Sequence, residues 1–176
     1  MLYTVYAFHI WFTKIPLEDR NMNDIKIKTA DMSDINTLVE LRFLYHTAAT
    51  GELTEEQTAK LGIQLPDYFK RHIGKDFTAY LAEVGNNTAA TIFMVRLEKP
   101  AGIYFLSGKT CYLMNVYTKP EYRRMGIASM LLDRIIADAK AEGITCIDLS
   151  ATPMGKPLYL KKGFIERGNT EMRMKL

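Results

Sequence analysis

The chain has 176 residues, 48% of them hydrophobic and 24% charged, and a formal net charge of +3. That length and balance predict one globular domain with its own core, and exclude a disordered tail, a collagen-like repeat and a coiled coil. Cys111 and Cys146 are too few and too widely spaced for a disulfide framework or a paired-cysteine zinc site, so no metal is expected.

Residues 1–21 are the compositional oddity. Leu2, Tyr3, Val5, Tyr6, Phe8, Ile10, Trp11 and Phe12 crowd its first half. The run is shorter than the roughly 20 apolar residues a membrane helix needs, and it lacks the cationic start and cleavage site of a secretory signal. It reads as an apolar arm or as the product of an upstream start, with a single domain expected over 22–176.

From Asp24 the pattern is orderly. Ile25, Ile27 and Thr29 alternate with Lys26 and Lys28, which predicts a half-buried strand. Ser33 or Asp34 is expected to cap a helix with the stripe Ile35, Leu38, Val39 and Leu41. Thr54 and Gln57 form a capping box for a second helix, and Pro66 is expected to start a third, short one. Strands are predicted at Phe77–Val84 and Thr88–Leu97, joined by Gly85-Asn86-Asn87, and at Tyr112–Tyr117. A long amphipathic helix, Ile127–Glu142, ends at Gly143. A strand over Ile144–Leu149, a short helix closed by Gly163 and a strand pair from Phe164 complete a mixed α/β order.

The chemistry concentrates where a strand meets the long helix, in Tyr117-Thr118-Lys119-Pro120-Glu121-Tyr122-Arg123-Arg124-Met125-Gly126-Ile127-Ala128. The first N–H groups of a helix lack internal partners and carry about half a positive charge. Here no acidic residue compensates them, and two arginines precede them. Such a turn suits an external diphosphate, although an ordinary strand-to-helix turn with solvated arginines has the same outline.

Arg123-x-x-Gly126-x-Ala128 resembles the acetyl-CoA signature of the GCN5-related N-acetyltransferase (GNAT) superfamily. Asn115-Val116-Tyr117-Thr118-x-Pro120-x-Tyr122-Arg123 is similar to that family's fourth strand and the loop after it. Leu158-Tyr159-Leu160-Lys161-Lys162-Gly163-Phe164 resembles its late leucine-tyrosine motif. The likeness is sharp from Tyr112 to Phe164. It implies a GNAT-like central, mostly antiparallel twisted sheet of about six or seven strands, with a splayed parallel pair and about four flanking helices.

The resemblance also implies acetyl transfer from acetyl-CoA to a primary amine by direct attack within a ternary complex. Backbone amides of Met125, Gly126, Ile127, Ala128 and Ser129, with Arg123 and Arg124, would hold the pyrophosphate. The strand edge at Asn115, Val116, Tyr117 and Thr118 would pair with the pantetheine arm, and an N–H near Val116 would polarise the thioester carbonyl. Thr152 and Lys162 are further candidates on the cofactor side; relatives often carry asparagine at the first of these positions. Thr91 replaces a frequent glycine.

Tyr159 is the candidate proton donor to the departing thiolate; its alternative is an aromatic packing role. Glu83 is the best single carboxylate for a base, against the alternative of a solvated hairpin glutamate. Asn115 stands where some relatives have glutamate; an amide cannot take the proton but can orient water or substrate. Arg42, Tyr45 and His46 are candidates for acceptor contacts, Arg42 either pairing a substrate carboxylate or sitting in a surface ion pair. The cysteines read as buried small hydrophobes.

The acceptor is expected to be a small-molecule or peptide amine, a homodimer is open, and the location is expected to be cytoplasmic. Neither nucleic acid nor membrane is expected as a partner. Two rival readings stand beside the enzyme: a catalytically silent acyl-CoA sensor of the same fold, and a nucleic-acid-binding domain using Arg123, Arg124, Lys161 and Lys162.

Overall fold

A computed structural model of the chain describes residues 24–168 and 172–174; the arm lies outside them. The described residues form strands β1 (Ile25–Thr29), β2 (Phe77–Val84), β3 (Asn87–Glu98), β4 (Lys109–Thr118) and β5 (Cys146–Leu149). Helices are α1 (Ile35–Thr50), α2 (Glu55–His72), α3 (Ile127–Ala141) and α4 (Lys156–Lys161).

The five strands make one sheet in chain order. The first three pairings are antiparallel and β4–β5 is parallel, so the mixed, mostly antiparallel sheet, its parallel pair and the four helices match expectation with fewer strands than expected. Residues 164–168 are not in a strand, contrary to the pair expected from Phe164; 169–171 and 175–176 lie outside the described residues. Parallel pairing stops at Leu113–Leu149, while β4 runs on to Thr118. β5 ends there, and β4 continues past it without a β5 partner.

Two cores sandwich the sheet. Side chains alternate across a strand, so Tyr80, Ile92 and Met94 join Ile127, Leu131, Leu132 and Ile135 of α3 on one face. Leu81, Phe93 and Phe77 join Leu38 and Leu41 of α1 and Leu65 and Phe69 of α2 on the other. There Phe69, Phe77 and Phe93 meet with ring centroids 5.2–5.6 Å apart, a spacing that favours edge-to-face attraction.

The capping box of Thr54 with Gln57 forms as read. Asp34 stands at the N-cap of α1 as expected, but its side chain makes no cap bond there. Its carboxylate accepts from Asp31 N instead, while the Asp31 carboxylate accepts from Ser33 N, a reciprocal box that closes a 3-10 turn ahead of the helix. Pro66 does not start a helix: it lies within α2, which runs unbroken. A proline there frees the carbonyl four residues back. That residue, Gly62, is exposed, so water can satisfy the carbonyl, while Leu65 and Phe69 anchor the helix on both sides of the proline.

Candidate active site

The site begins with a fault in the β3–β4 ladder. Thr91 faces Tyr117 and Phe93 faces Met114, so Ile92 alone stands against Asn115 and Val116. This is a β-bulge, which re-aims backbone and side chain together. Asn115 takes φ 52°, a left-handed conformation that asparagine tolerates better than most residues.

The Asn115 side chain is buried, and its Oδ1 accepts from Arg42 Nη1 at 3.2 Å. A guanidinium only donates, so the amide must turn its oxygen to Arg42. Among the described residues its Nδ2 is then a buried donor without a partner, and the Thr91 hydroxyl is likewise buried and unpartnered. Such groups are costly unless something completes them.

Arg42 lies over the Tyr45 ring, 5.5 Å from its centroid. Burial pulls its guanidinium below its ordinary value, opposed by the Tyr45 and Tyr68 phenols. Burial, and secondarily Arg42, also holds His46 below its usual range, which keeps the imidazole neutral at neutral pH.

Tyr159 reaches this region from α4, in the opposite core. Its phenol is pushed up to about 12, by burial first and then by Tyr45. Tyr45 and Tyr159 belong to the cores on opposite faces of the sheet, yet lie near enough to influence each other electrostatically. Among the described residues the Tyr159 hydroxyl has no hydrogen-bond partner. Phe164 packs edge-on against its ring at 5.8 Å.

The turn after β4 has the form expected of an anion cradle. Arg123 Nε donates to the Thr118 carbonyl at 3.2 Å, bracing the loop. Arg124 and Gly126 both take positive φ, 65° and 77°. Alternation of such residues makes successive N–H groups converge. No side chain caps α3 and no acid occupies its first turn. A Cβ built on Gly126 meets nothing within 4 Å, so the cradle opens to free space. Free N–H groups, positive charge and an open floor fit a diphosphate.

Two expected residues have other partners. Lys162 donates to Asp133 of α3 at 2.6 Å, tying the end of α4 down. Glu83 pairs with Lys28 at 3.0 Å. In register it lies three residues along and two strands away from Asn115, about 10 Å in each direction by ordinary strand spacings. Thr152 closes the turn before α4, its Oγ1 accepting from Gly155 N at 3.2 Å and its carbonyl from Lys156 N. Burial pushes the Cys111 thiol to about 12 and raises Cys146 as well, which disfavours thiolate chemistry.

Tyr68 was not singled out from sequence, and neither was the close fit of Gly155 against the Tyr159 ring. Reading Pro66 as a helix start hid the fact that Leu61, Leu65, Tyr68, Phe69 and His72 share one inward side of α2. Among the described residues, no group of His, Cys, Asp or Glu could hold a metal ion, and no helix is long and apolar enough to cross a membrane.

The acetyltransferase (GNAT) family matches residues 38–164, and the chain belongs to that family. It is similar to a predicted acetyltransferase from Clostridium acetobutylicum solved with acetyl-CoA, at 28% identity and TM-score 0.74, over 85% of this chain and 96% of that one. A GCN5-related N-acetyltransferase from Ralstonia eutropha JMP134 gives 22% identity and TM-score 0.74, over 85% and 98%. An aminoglycoside acetyltransferase from an uncultured soil metagenomic sample shares the fold at 14% identity and TM-score 0.68, over 86% and 98%. No curated protein sequence matches the chain closely enough to inform its function.

Proposed function

We propose that the protein is an acetyl-CoA-dependent N-acetyltransferase acting on a primary amine, with residues 22–176 as the acetyltransferase domain. The observation that supports this reading is the conjunction of the uncapped, acid-free cradle at Arg124–Ser129 with the bulge at Asn115–Val116 and a Tyr159 hydroxyl without a hydrogen-bond partner among the described residues. The Clostridium relative solved with acetyl-CoA supports the choice of donor.

Backbone amides of residues 125–129 would hold the pyrophosphate. The edge of β4 beyond Leu113, which β5 leaves unpaired, would receive the pantetheine arm as an added strand. Acetyl-CoA supplies the electrophile: the amine nitrogen bonds to the acetyl carbon, the carbon–sulfur bond breaks, and amide and CoA thiol result. An N–H of the bulge steadies the carbonyl oxygen as charge gathers on it. Tyr159, whose raised pKa keeps the phenol protonated throughout the neutral range, gives the departing sulfur its proton, and the second proton shed by the nitrogen as the amide forms returns to the phenol through solvent. The ammonium proton leaves to solvent through water held at Asn115; Glu83, paired and distant, is outside this path.

The test is release of CoA thiol from acetyl-CoA across a panel of amines. Amine-dependent release supports the enzyme. Stabilisation by acetyl-CoA with no release from any amine would replace the enzyme with the silent acyl-CoA sensor.

A further inference from the structure

Arg42 differs from the other well-partnered arginines of the structure. Arg96 forms a two-pronged pair with Glu142 at 2.6 Å, Arg71 pairs with Asp67, Arg134 with Asp138 and Arg167 with Asp148. Arg42 is half-buried where α1 faces β4, yet among the described residues its one hydrogen-bonded partner is the neutral amide of Asn115. A guanidinium has five N–H donors in a planar fork suited to a carboxylate. Taking that charge out of water without an anion is unfavourable. Beside it, Asn115 Nδ2 is a second buried donor without an acceptor. Among the described residues the site therefore gathers donors and positive charge and supplies no negative charge of its own.

From this placement we infer that the acceptor is a small amine that also carries a carboxylate, as an amino acid does, and that Arg42, oriented by Asn115, receives that carboxylate. The inference rests on the acetyltransferase reading above. Geometry sets the size: the amine must reach the bulge at Asn115–Val116, while the carboxylate must reach a guanidinium bonded to Asn115 itself. Amine and carboxylate therefore lie close together in the acceptor. The same positive charge opposes polycationic acceptors, which sets this chain apart from the aminoglycoside enzyme that shares its fold.

The experiment compares free α- and β-amino acids with their own carboxamides, with an aminoglycoside as a third arm, by thiol release. In parallel, calorimetry measures N-acetyl amino acids and their amides binding to the protein–CoA complex. The carboxylate form should exceed its amide in kcat/KM by at least about tenfold, as one charge-assisted hydrogen-bond pair implies. In Arg42→Gln the ratio should fall to near one. Arg42→Lys should keep part of it, having the charge without the fork. Asn115→Asp should abolish it by supplying the anion from within. The thermal shift on acetyl-CoA checks that each variant is folded. A ratio near one in the parent protein, or an undiminished ratio in folded Arg42→Gln, overturns the inference. If no amine releases thiol, the acetyltransferase reading fails and calorimetry still decides. A tenfold carboxylate preference lost in Arg42→Gln sustains the assignment, and equal binding of acid and amide overturns it.

Discussion

A Cβ placed on Gly155 would stand 3.1 Å from Cε2 of Tyr159 and 3.4 Å from Thr152 Oγ1. The backbone at Gly155 is ordinary, φ −83° and ψ −24°, so the constraint is space and not conformation. Gly155→Ala should leave the fold and the acetyl-CoA thermal shift intact while pushing the phenol ring aside by a few tenths of an ångström. Thiol release should drop about tenfold, a modest part of what misplacing a reacting group can cause. Equal kcat in the alanine variant would remove Gly155 from the positioning of Tyr159.

Tyr159→Phe removes the hydroxyl and keeps the ring against Phe164. Turnover should fall by about 10²-fold, the lower end of what a placed acid contributes, with acetyl-CoA affinity little changed. With the folded phenol near 12 against an ordinary value of 10, the acid form persists, so the parent protein's rate should show no alkaline loss from this group below pH 10. A raised pKa in the folded state also means that stability from this group is fully present below pH 10 and declines above it. A kcat profile falling with a midpoint near pH 8 would assign the acid elsewhere.

Gly126→Glu should abolish acetyl-CoA binding in a thermal-shift titration. Space is not the reason, since a side chain there meets nothing. The new residue must adopt φ 77°, at a cost of roughly 1–2 kcal/mol, and it brings a negative charge to the uncapped start of α3. Gly126→Ala shares the strain without the charge and should weaken binding less. Equal losses in the two variants would show that conformation alone matters.

Glu83→Gln should leave thiol release within twofold, because the carboxylate serves Lys28. Asp34 is the larger influence raising the Lys28 pKa and Glu83 the smaller. The pair is partly exposed, so its loss should change stability by no more than about 1 kcal/mol at neutral pH. Because Lys28 is raised, the contribution persists below its ordinary value of 10.5 and is lost as pH rises through the folded value. A hundredfold fall in kcat would restore Glu83 to the proton path.

The pattern of elements was legible because local rules and tertiary packing agree. The alternation in Ile25–Thr29, the Thr54–Gln57 box and the stripe of α3 each specify their own surroundings. Pro66 misled because helix continuity there depends on Leu65 and Phe69 finding a core, which lies in distant β2 and β3. The cradle at Arg123–Ser129 could be read since backbone amides need only a turn and a helix start. The bulge could not be read: Asn115 is left-handed through ladder register with β3, and its meeting with Arg42 spans 73 positions. Lys162 and Glu83 were similarly opaque, for their partners, Asp133 and Lys28, belong to other elements.

Because β5 has four residues and β4 ten, the sheet is a ladder with rungs missing. Four residue pairs, Thr110–Cys146 through Leu113–Leu149, join β5 to the rest of the sheet. Amide hydrogens of β4 that face the gap should exchange with deuterium faster than those facing β3. A donor arm laid into the gap would slow that exchange and couple β5 and α4 to the larger half of the molecule. Heat resistance and substrate level would then rise together, with the metabolite acting as a mortar joint in the protein's own architecture.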